Sequence, residues 1–285
     1  MTYYECHGHS LMDGADFRAA RERHSRGVDK SVVCAQLAAL RAAGVVYFRD
    51  GGDAHGVSLF AREVAPEYGI DYVTPAFAIH RKGRYGAIVG RGYETREEYQ
   101  RLLLEAKEQR CDFIKIMISG IITFQKYGEL SCAPLPAEEI RWLIADAHEL
   151  GLAVMAHANG AEPVRAAVDA GLDSVDHGYF LDEYCLDAMA ERGCFWVPTV
   201  AAAAAFRGRN GFDDAVACET TRVQQRLARY ALERGVLLCP GSDSGAVGVP
   251  HGAGIRAEYE LLGADASVLN HNARLLSERF RPQIA

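Results

Sequence analysis

Eight short apolar runs recur along the 285-residue chain, each separated from the next by a longer amphipathic stretch. The runs are Thr2–His7, Val45–Phe48, Tyr72–Ile79, Phe113–Ile118, Ala153–His157, Ser174–His177, Phe195–Val200 and Val236–Pro240. Each is close to continuously apolar rather than alternating, which is the pattern of a parallel strand covered on both faces. The segments between them (Ser31–Ala43, Val57–Tyr68, Arg96–Gln109, Ala137–Leu150, Glu162–Ala170, Glu183–Glu191 and Asp213–Glu233) carry helical periodicity. So do Ala257–Leu262 and Ser267–Phe280 after the last run. Thr95 followed by Glu98 is a capping-box signature. Gly44, Gly151, Gly171, Gly193 and Gly235 each stand just past a helical segment, where a left-handed cap suits glycine. Parallel neighbours can be joined only by a crossover. The alternation therefore predicts a (β/α)8 barrel, an α/β fold, as one domain over residues 1–285. A doubly wound open sheet would need a glycine-rich phosphate loop after its first strand, and the sequence has none there.

Bulk properties exclude several kinds of partner. The net charge is −7 with no basic block, which argues against nucleic acid. The longest apolar stretches run about 8 to 10 residues, too short to span a bilayer. No basic segment followed by an apolar core opens the chain, so no signal peptide is expected. The eight cysteines (6, 34, 111, 132, 185, 194, 218 and 239) include no Cys-x-x-Cys pair and read as small hydrophobes. A reduced, cytoplasmic protein with a small-molecule substrate is the expectation, and a homo-oligomer is compatible with it.

Active sites of such barrels lie at the C-terminal ends of the strands. The first run ends in His7 and His9, whose i, i+2 spacing puts both imidazoles on one face. The fourth carries Lys115 in Phe-Ile-Lys-Ile-Met, and an ammonium in a barrel core needs a partner because burying it alone is costly. The fifth ends at His157, the sixth at His177, and the eighth runs into Asp243 in Pro-Gly-Ser-Asp-Ser-Gly. Taken singly, a strand-end histidine is more often a hydrogen-bonded structural residue, and Asp243 could cap a helix. Six such residues converging on one mouth form a metal-ligand pattern. Around them, His251 is a candidate for substrate or supporting contacts. Tyr127, and His80 with Arg81, are candidates for holding a substrate carboxylate, and Tyr179 for lining the pocket. Arg49-Asp50 reads as an ion pair that positions loops. His24, His148 and His271 read as surface residues.

The order His-x-His, strand-four lysine, strand-five and strand-six histidines and strand-eight aspartate resembles the amidohydrolase superfamily. The sequence around His157, His177 and Asp243 is similar to the branch containing imidazolonepropionases and Xaa-Pro or Xaa-Arg dipeptidases, from residue 1 to about Leu276. The resemblance implies two divalent metal ions, zinc foremost: the more buried held by His7 and His9, the more exposed by His157 and His177. It implies that Lys115 is carboxylated by carbon dioxide and bridges them, and that Asp243 ligates the buried metal and shuttles a proton. The implied activity is metal-dependent hydrolysis of a C–N bond in an amide, cyclic amide or dipeptide, with Asp243, Lys115 and His177 catalytic. Lactone or phosphotriester hydrolysis and mononuclear deamination are alternatives. A non-catalytic barrel would be expected to have lost part of the ligand set, which is intact here. Members of the branch usually add a small β-sandwich from residues flanking the barrel. This chain starts almost at His7 and stops soon after Leu276, so a barrel without a sandwich is expected. The loop Ser119–Tyr127 also departs from the glycine-rich loop of the dipeptidases.

Overall fold

The computed structural model describes residues 2–281. In chain order its elements are β1 (Tyr3–Gly8), α1 (Phe17–Arg23), α2 (Lys30–Ala43), β2 (Val45–Asp50), α3 (Val57–Val64), β3 (Asp71–Val73), β4 (Ala78–Arg81) and β5 (Gly90–Tyr93). There follow α4 (Arg96–Glu108), β6 (Ile114–Met117), α5 (Ala137–Glu149), β7 (Val154–Ala158), α6 (Ala161–Asp169), β8 (Ser174–His177) and α7 (Glu183–Arg192). The last are β9 (Phe195–Val197), α8 (Val200–Ala204), α9 (Asp214–Glu233), β10 (Leu237–Leu238), α10 (Ala253–Leu262) and α11 (Ala266–Arg279).

All strand pairings are parallel, in the orders β1-β2-β3 and β10-β9-β8-β7-β6-β4-β5. Backbone bonds close the two arcs into a barrel. The Cys6 N–H donates to Pro240 C=O at 2.9 Å, and the Asp243 N–H to His7 C=O at 2.9 Å. On the other seam the Asp112 N–H donates to Thr74 C=O at 2.9 Å. The expected (β/α)8 fold is thus the observed one, and no β-sandwich forms among the described residues.

Three local readings need correction. The run Tyr72–Ile79, expected as one strand, is broken into β3 and β4. Pro75 has no N–H to give a ladder, and Ala76 is left-handed at φ 65°. β5 was not foreseen: Gly-Arg-Gly-Tyr has no hydrophobic pattern, and it adds to the outer edge of β4 because Gly90 lets the Ala78 carbonyl approach, where a Cβ would sit at 2.7 Å. α1 was also missed. Its polar sequence shows little periodicity, and the Asp16 carboxylate caps it by accepting from the N–H groups of Arg18 and Ala19.

The strand repeat of two positions sorts the interior into levels. Tyr47, Phe113 and Met155 pack low in the barrel with Cys6, Val197 and Cys239, over a floor made by Leu276 of α11 and Phe280, which caps that helix. Two residues further along the same strands stand Arg49, Lys115 and His157, at the level where the core gives way to the site. Of the eight cysteines, all free, five are buried, as their reading as small hydrophobes expects.

Glu5 is sealed between β1 and the start of the β10 loop, where Ser242 donates its N–H at 2.7 Å and its hydroxyl lies at 2.5 Å. Burial pushes its carboxyl up from 4.5 to about 8. A raised carboxyl favours the folded state fully below its unfolded value, and that contribution is lost as pH climbs from about 4.5 toward 8. Glu5→Gln keeps one donor and one acceptor for Ser242 and does not titrate. Urea midpoints across this range should therefore fall less with pH in the variant than in the native protein; identical pH profiles would refute the assignment.

Candidate metal centre and active site

His7 leaves β1 with its Nδ1 at 2.5 Å from the Asp176 carboxylate. That contact fixes the proton on Nδ1 and turns the Nε2 lone pair toward the barrel axis. There it lies 3.3 Å from His9 Nε2 and 3.5 Å from Asp243 Oδ1, and His9 Nε2 lies 3.4 Å from the same oxygen. A point equidistant from three atoms so spaced is about 2.0 Å from each, the length of a zinc bond to nitrogen or oxygen, ~2.0–2.2 Å. His9 is placed by contact with backbone: a Cβ on Gly51 would sit 2.2 Å from His9 Cε1. His7, His177 and Asp243 each offer one ligand atom within 4.8 Å of the others.

Two further imidazoles close the ring. His157 uses Nε2 toward the Gly120 carbonyl at 3.2 Å, and His177 uses Nδ1 toward Thr199 Oγ1 at 2.8 Å. Among the described residues the second ring nitrogen of each makes no hydrogen bond. The His157 and His177 rings are 4.6 Å apart, and those of His7 and His177 are 4.7 Å apart. Successive residues of a strand face opposite ways, yet Asp176 and His177 both serve this centre. His177 manages this by leaving the strand in the left-handed region at φ 70°, and Asp243 does the same at φ 62°.

Burial dominates the electrostatics. It holds His7 and His177 well below 6.5 and takes His9 and His157 down to about 3, with the nearby Lys115 charge adding to the effect in each. All four are neutral at pH 7, the form that binds metal. Burial lowers Lys115 to about 8 and raises Asp243 to about 7. Lys115 Nζ and Asp243 Oδ1 are buried with no hydrogen-bond partner. Neutral imidazoles and an unpartnered carboxylate oxygen gathered at one point, beside an unpartnered amine, fit a divalent cation.

Above the donors opens a cavity of about 310 Å³ whose wall includes all six expected donors, together with Tyr179, Tyr85, Met117 and Phe206. The other second-tier candidates are placed elsewhere. His251 lies behind the wall, with Nε2 against the Met12 carbonyl at 3.0 Å. His80 turns Nδ1 to the Arg81 carbonyl, Arg81 is in an ion pair with Glu139, and Tyr127 is exposed with its ring on Phe180. Tyr179 does line the cavity, and its hydroxyl donates to Thr199 C=O at 2.8 Å. Arg49 is not a loop tie but a fully buried partner of Asp176 at 2.9 Å. His24, expected at the surface, is buried, its Nδ1 accepting the Asp29 N–H at 3.1 Å; His148 is half-buried against Asp173, and His271 is exposed. Sequence reasoning missed Asp176, Thr199 and Tyr85. Asp176 was one residue from His177, on what strand alternation made the wrong face.

Residues 29–277 match the Amidohydrolase family. The chain belongs to that family. This amidohydrolase is 26% identical to ochratoxinase of Aspergillus niger over 208 residues, which is 70% of the chain but 41% of that longer protein. Its fold superposes on a solved Xaa-Pro dipeptidase with methionine bound in the active site at TM-score 0.75 and 21% identity, over 98% of this chain and 75% of that one. It superposes on A. niger ochratoxinase at 0.75 and 20% identity, over 95% and 70%. At such identities the structures establish a shared barrel, in agreement with the superfamily expected from the motif order.

Replacing Asp176 by Asn would let His7 turn and leave the Arg49 charge unpaired. The expected outcome is zinc affinity weaker by about 10- to 100-fold and stability lower by about 3–5 kcal/mol. Competition with a chromophoric chelator and urea unfolding would measure these, and an unchanged zinc affinity would sink the orienting role.

Proposed function

We propose that this amidohydrolase is a metal-dependent hydrolase of an amide C–N bond. The observation that carries the reading is the convergence of neutral His7, His9 and Asp243 Oδ1 on one point beside the unpartnered Lys115 amine. His7, His9 and Asp243 would hold one divalent ion, zinc foremost, and His157 and His177 a second, with Lys115 between them. The resemblance of this ligand order to the family, and relatives named as a dipeptidase and an ochratoxinase, support a C–N bond as target.

Bound metal supplies a Lewis acid that polarises the scissile carbonyl and acidifies a water. The chain's own groups do the rest. With its amine lowered to about 8, Lys115 holds a share of neutral Nζ at pH 7. That lone pair would add to the carbon of carbon dioxide as one C=O electron pair moves onto oxygen. The proton then lost from nitrogen goes to solvent, so the neutral amine, itself one proton short of the ammonium, becomes a bidentate carbamate anion. Asp243, raised to about 7 by burial, is matched to proton transfer near neutrality. Its carboxylate accepts the proton of the attacking water and returns it to the leaving nitrogen as the C–N bond breaks. His177 is set by Thr199 and, through Thr199, by Tyr179; Tyr179 is on this reading a positioning residue.

Protein loaded with zinc and bicarbonate should hold two equivalents of metal after dialysis, and Lys115→Ala should lose metal and hydrolysis together. Well under one equivalent in the native protein would overturn the two-metal reading, and full activity of Lys115→Ala would overturn the bridge. Asp243→Asn should lower kcat by at least about 100-fold, given the usual worth of a positioned acid–base, while circular dichroism shows the barrel intact.

A further inference from the structure

The cavity over the metal donors is apolar to an extent that the catalytic reading does not require. Two separate hydrophobic clusters wall it. The first comes from the segments after β6 and β9, with Ile122, Phe124 and Phe206, joined by Tyr179 from just after β8. Phe206 stacks on Phe124 with ring centres 4.4 Å apart, and Phe212 meets Phe206 edge-on at 4.7 Å. The two segments are tied together, since the Asp213 N–H donates to Phe124 C=O at 3.0 Å and the Gln125 side-chain amide to Gly211 C=O at 2.9 Å. The second wall, with Met12, Phe17, Ile88, Val89 and Met117, belongs to the main core cluster.

The arginines around the cavity do not line it. Arg81 is spent on Glu139, which also accepts the Tyr93 hydroxyl at 2.8 Å. Arg49 is buried on Asp176, Arg84 reaches the Ala133 carbonyl, and Arg209 lies over the Phe206 ring without facing the cavity. Among the described residues Lys115 is the one lysine or arginine in the wall. It sits beside Asp243, and conversion to a carbamate would replace its positive charge by a negative one. A carboxylate entering such a wall sheds its water and gains no donor, whereas an alkyl or aryl group is favoured there.

We propose that this site acts on neutral amides carrying an apolar group on each side of the scissile bond, one for each hydrophobic wall, and discriminates against substrates with a free carboxylate. This rests on the C–N hydrolase reading. The products are an apolar carboxylic acid and an uncharged-substituent amine, which differ from the amino acids that a free dipeptide would yield.

The test compares hexanoyl 4-nitroanilide with the mono-4-nitroanilide of adipic acid, equal in chain length and differing in a terminal carboxylate, on protein loaded with zinc and bicarbonate. The neutral member should have a kcat/KM at least about tenfold higher, since the wall offers the acid no partner. Equal or faster hydrolysis of the acidic member overturns the proposal. Binding of the two compounds is measured in parallel by titration calorimetry. If neither is hydrolysed, the C–N hydrolase reading fails, and the binding preference still decides this one: tighter binding of the neutral member upholds it, and parity overturns it. Phe206→Ala should raise KM for the hexanoyl compound by about fivefold with kcat within about twofold, the signature of lost uniform binding. An unchanged KM would show that the aromatic wall does not hold substrate.

Discussion

One buried carboxylate organises this barrel. Asp176 accepts from His7 Nδ1, from the Arg49 guanidinium and from the Ser174 hydroxyl, all out of reach of water. Arg49 in turn donates to the Cys6 carbonyl at 2.7 Å and lies over the Phe280 ring at 4.4 Å. β1, β2 and β8 are thereby tied to each other and to the α11 floor by a single ion pair. Such a pair is a poor source of net stability, because desolvating both charges offsets their attraction, but losing either partner leaves an uncompensated charge. Its value here is positional. It marks the level at which the hydrocarbon core ends, and it sets the tautomer of the His7 imidazole.

The level above that pair is bought with backbone strain. His177, Thr199 and Asp243 all adopt left-handed conformations that cost a non-glycine residue on the order of 1–3 kcal/mol. Surrounding bonds over-determine each. The His177 carbonyl accepts from Trp196 Nε1 at 3.1 Å and from the Gln224 amide at 2.6 Å. The Asp243 N–H is held by the His7 carbonyl. Strain therefore sits where side chains must turn inward against the alternation of their strands.

Burial then acts on the acid and the amine in opposite senses. Both lose water, so the neutral form of each is favoured: Asp243 rises to about 7 and Lys115 falls to about 8. Two groups that differ by more than six units in water are brought close together near neutrality by one cause. The same dryness keeps the histidines unprotonated and makes the cavity hospitable to apolar groups, so the chemistry and the shape of the site share a physical origin.

How much of this was legible before the fold was known depended on how local each signal was. Hydrophobic runs and helical periodicity are local, so the strand order, the crossovers and the strand-end residues His7, His9, Lys115, His157, His177 and Asp243 could be read from the sequence. The break at Pro75 and the glycine-rich β5 escaped because neither carries a hydrophobic period. Asp176 and Arg49 escaped for a deeper reason: they are 127 residues apart, and their partnership exists only once the barrel closes. Likewise His80 and Arg81 at the end of β4, and Tyr127 in the loop after β6, stand at the right end of the barrel, and only tertiary contacts, above all Glu139 capturing Arg81, decided that they do not line the cavity. The sequence by itself determined which side chains stand at the strand ends, because strand periodicity is a property of neighbours along the chain. The tertiary structure alone decided which of them face one another, since that depends on backbone turns and on partners that distance along the chain conceals.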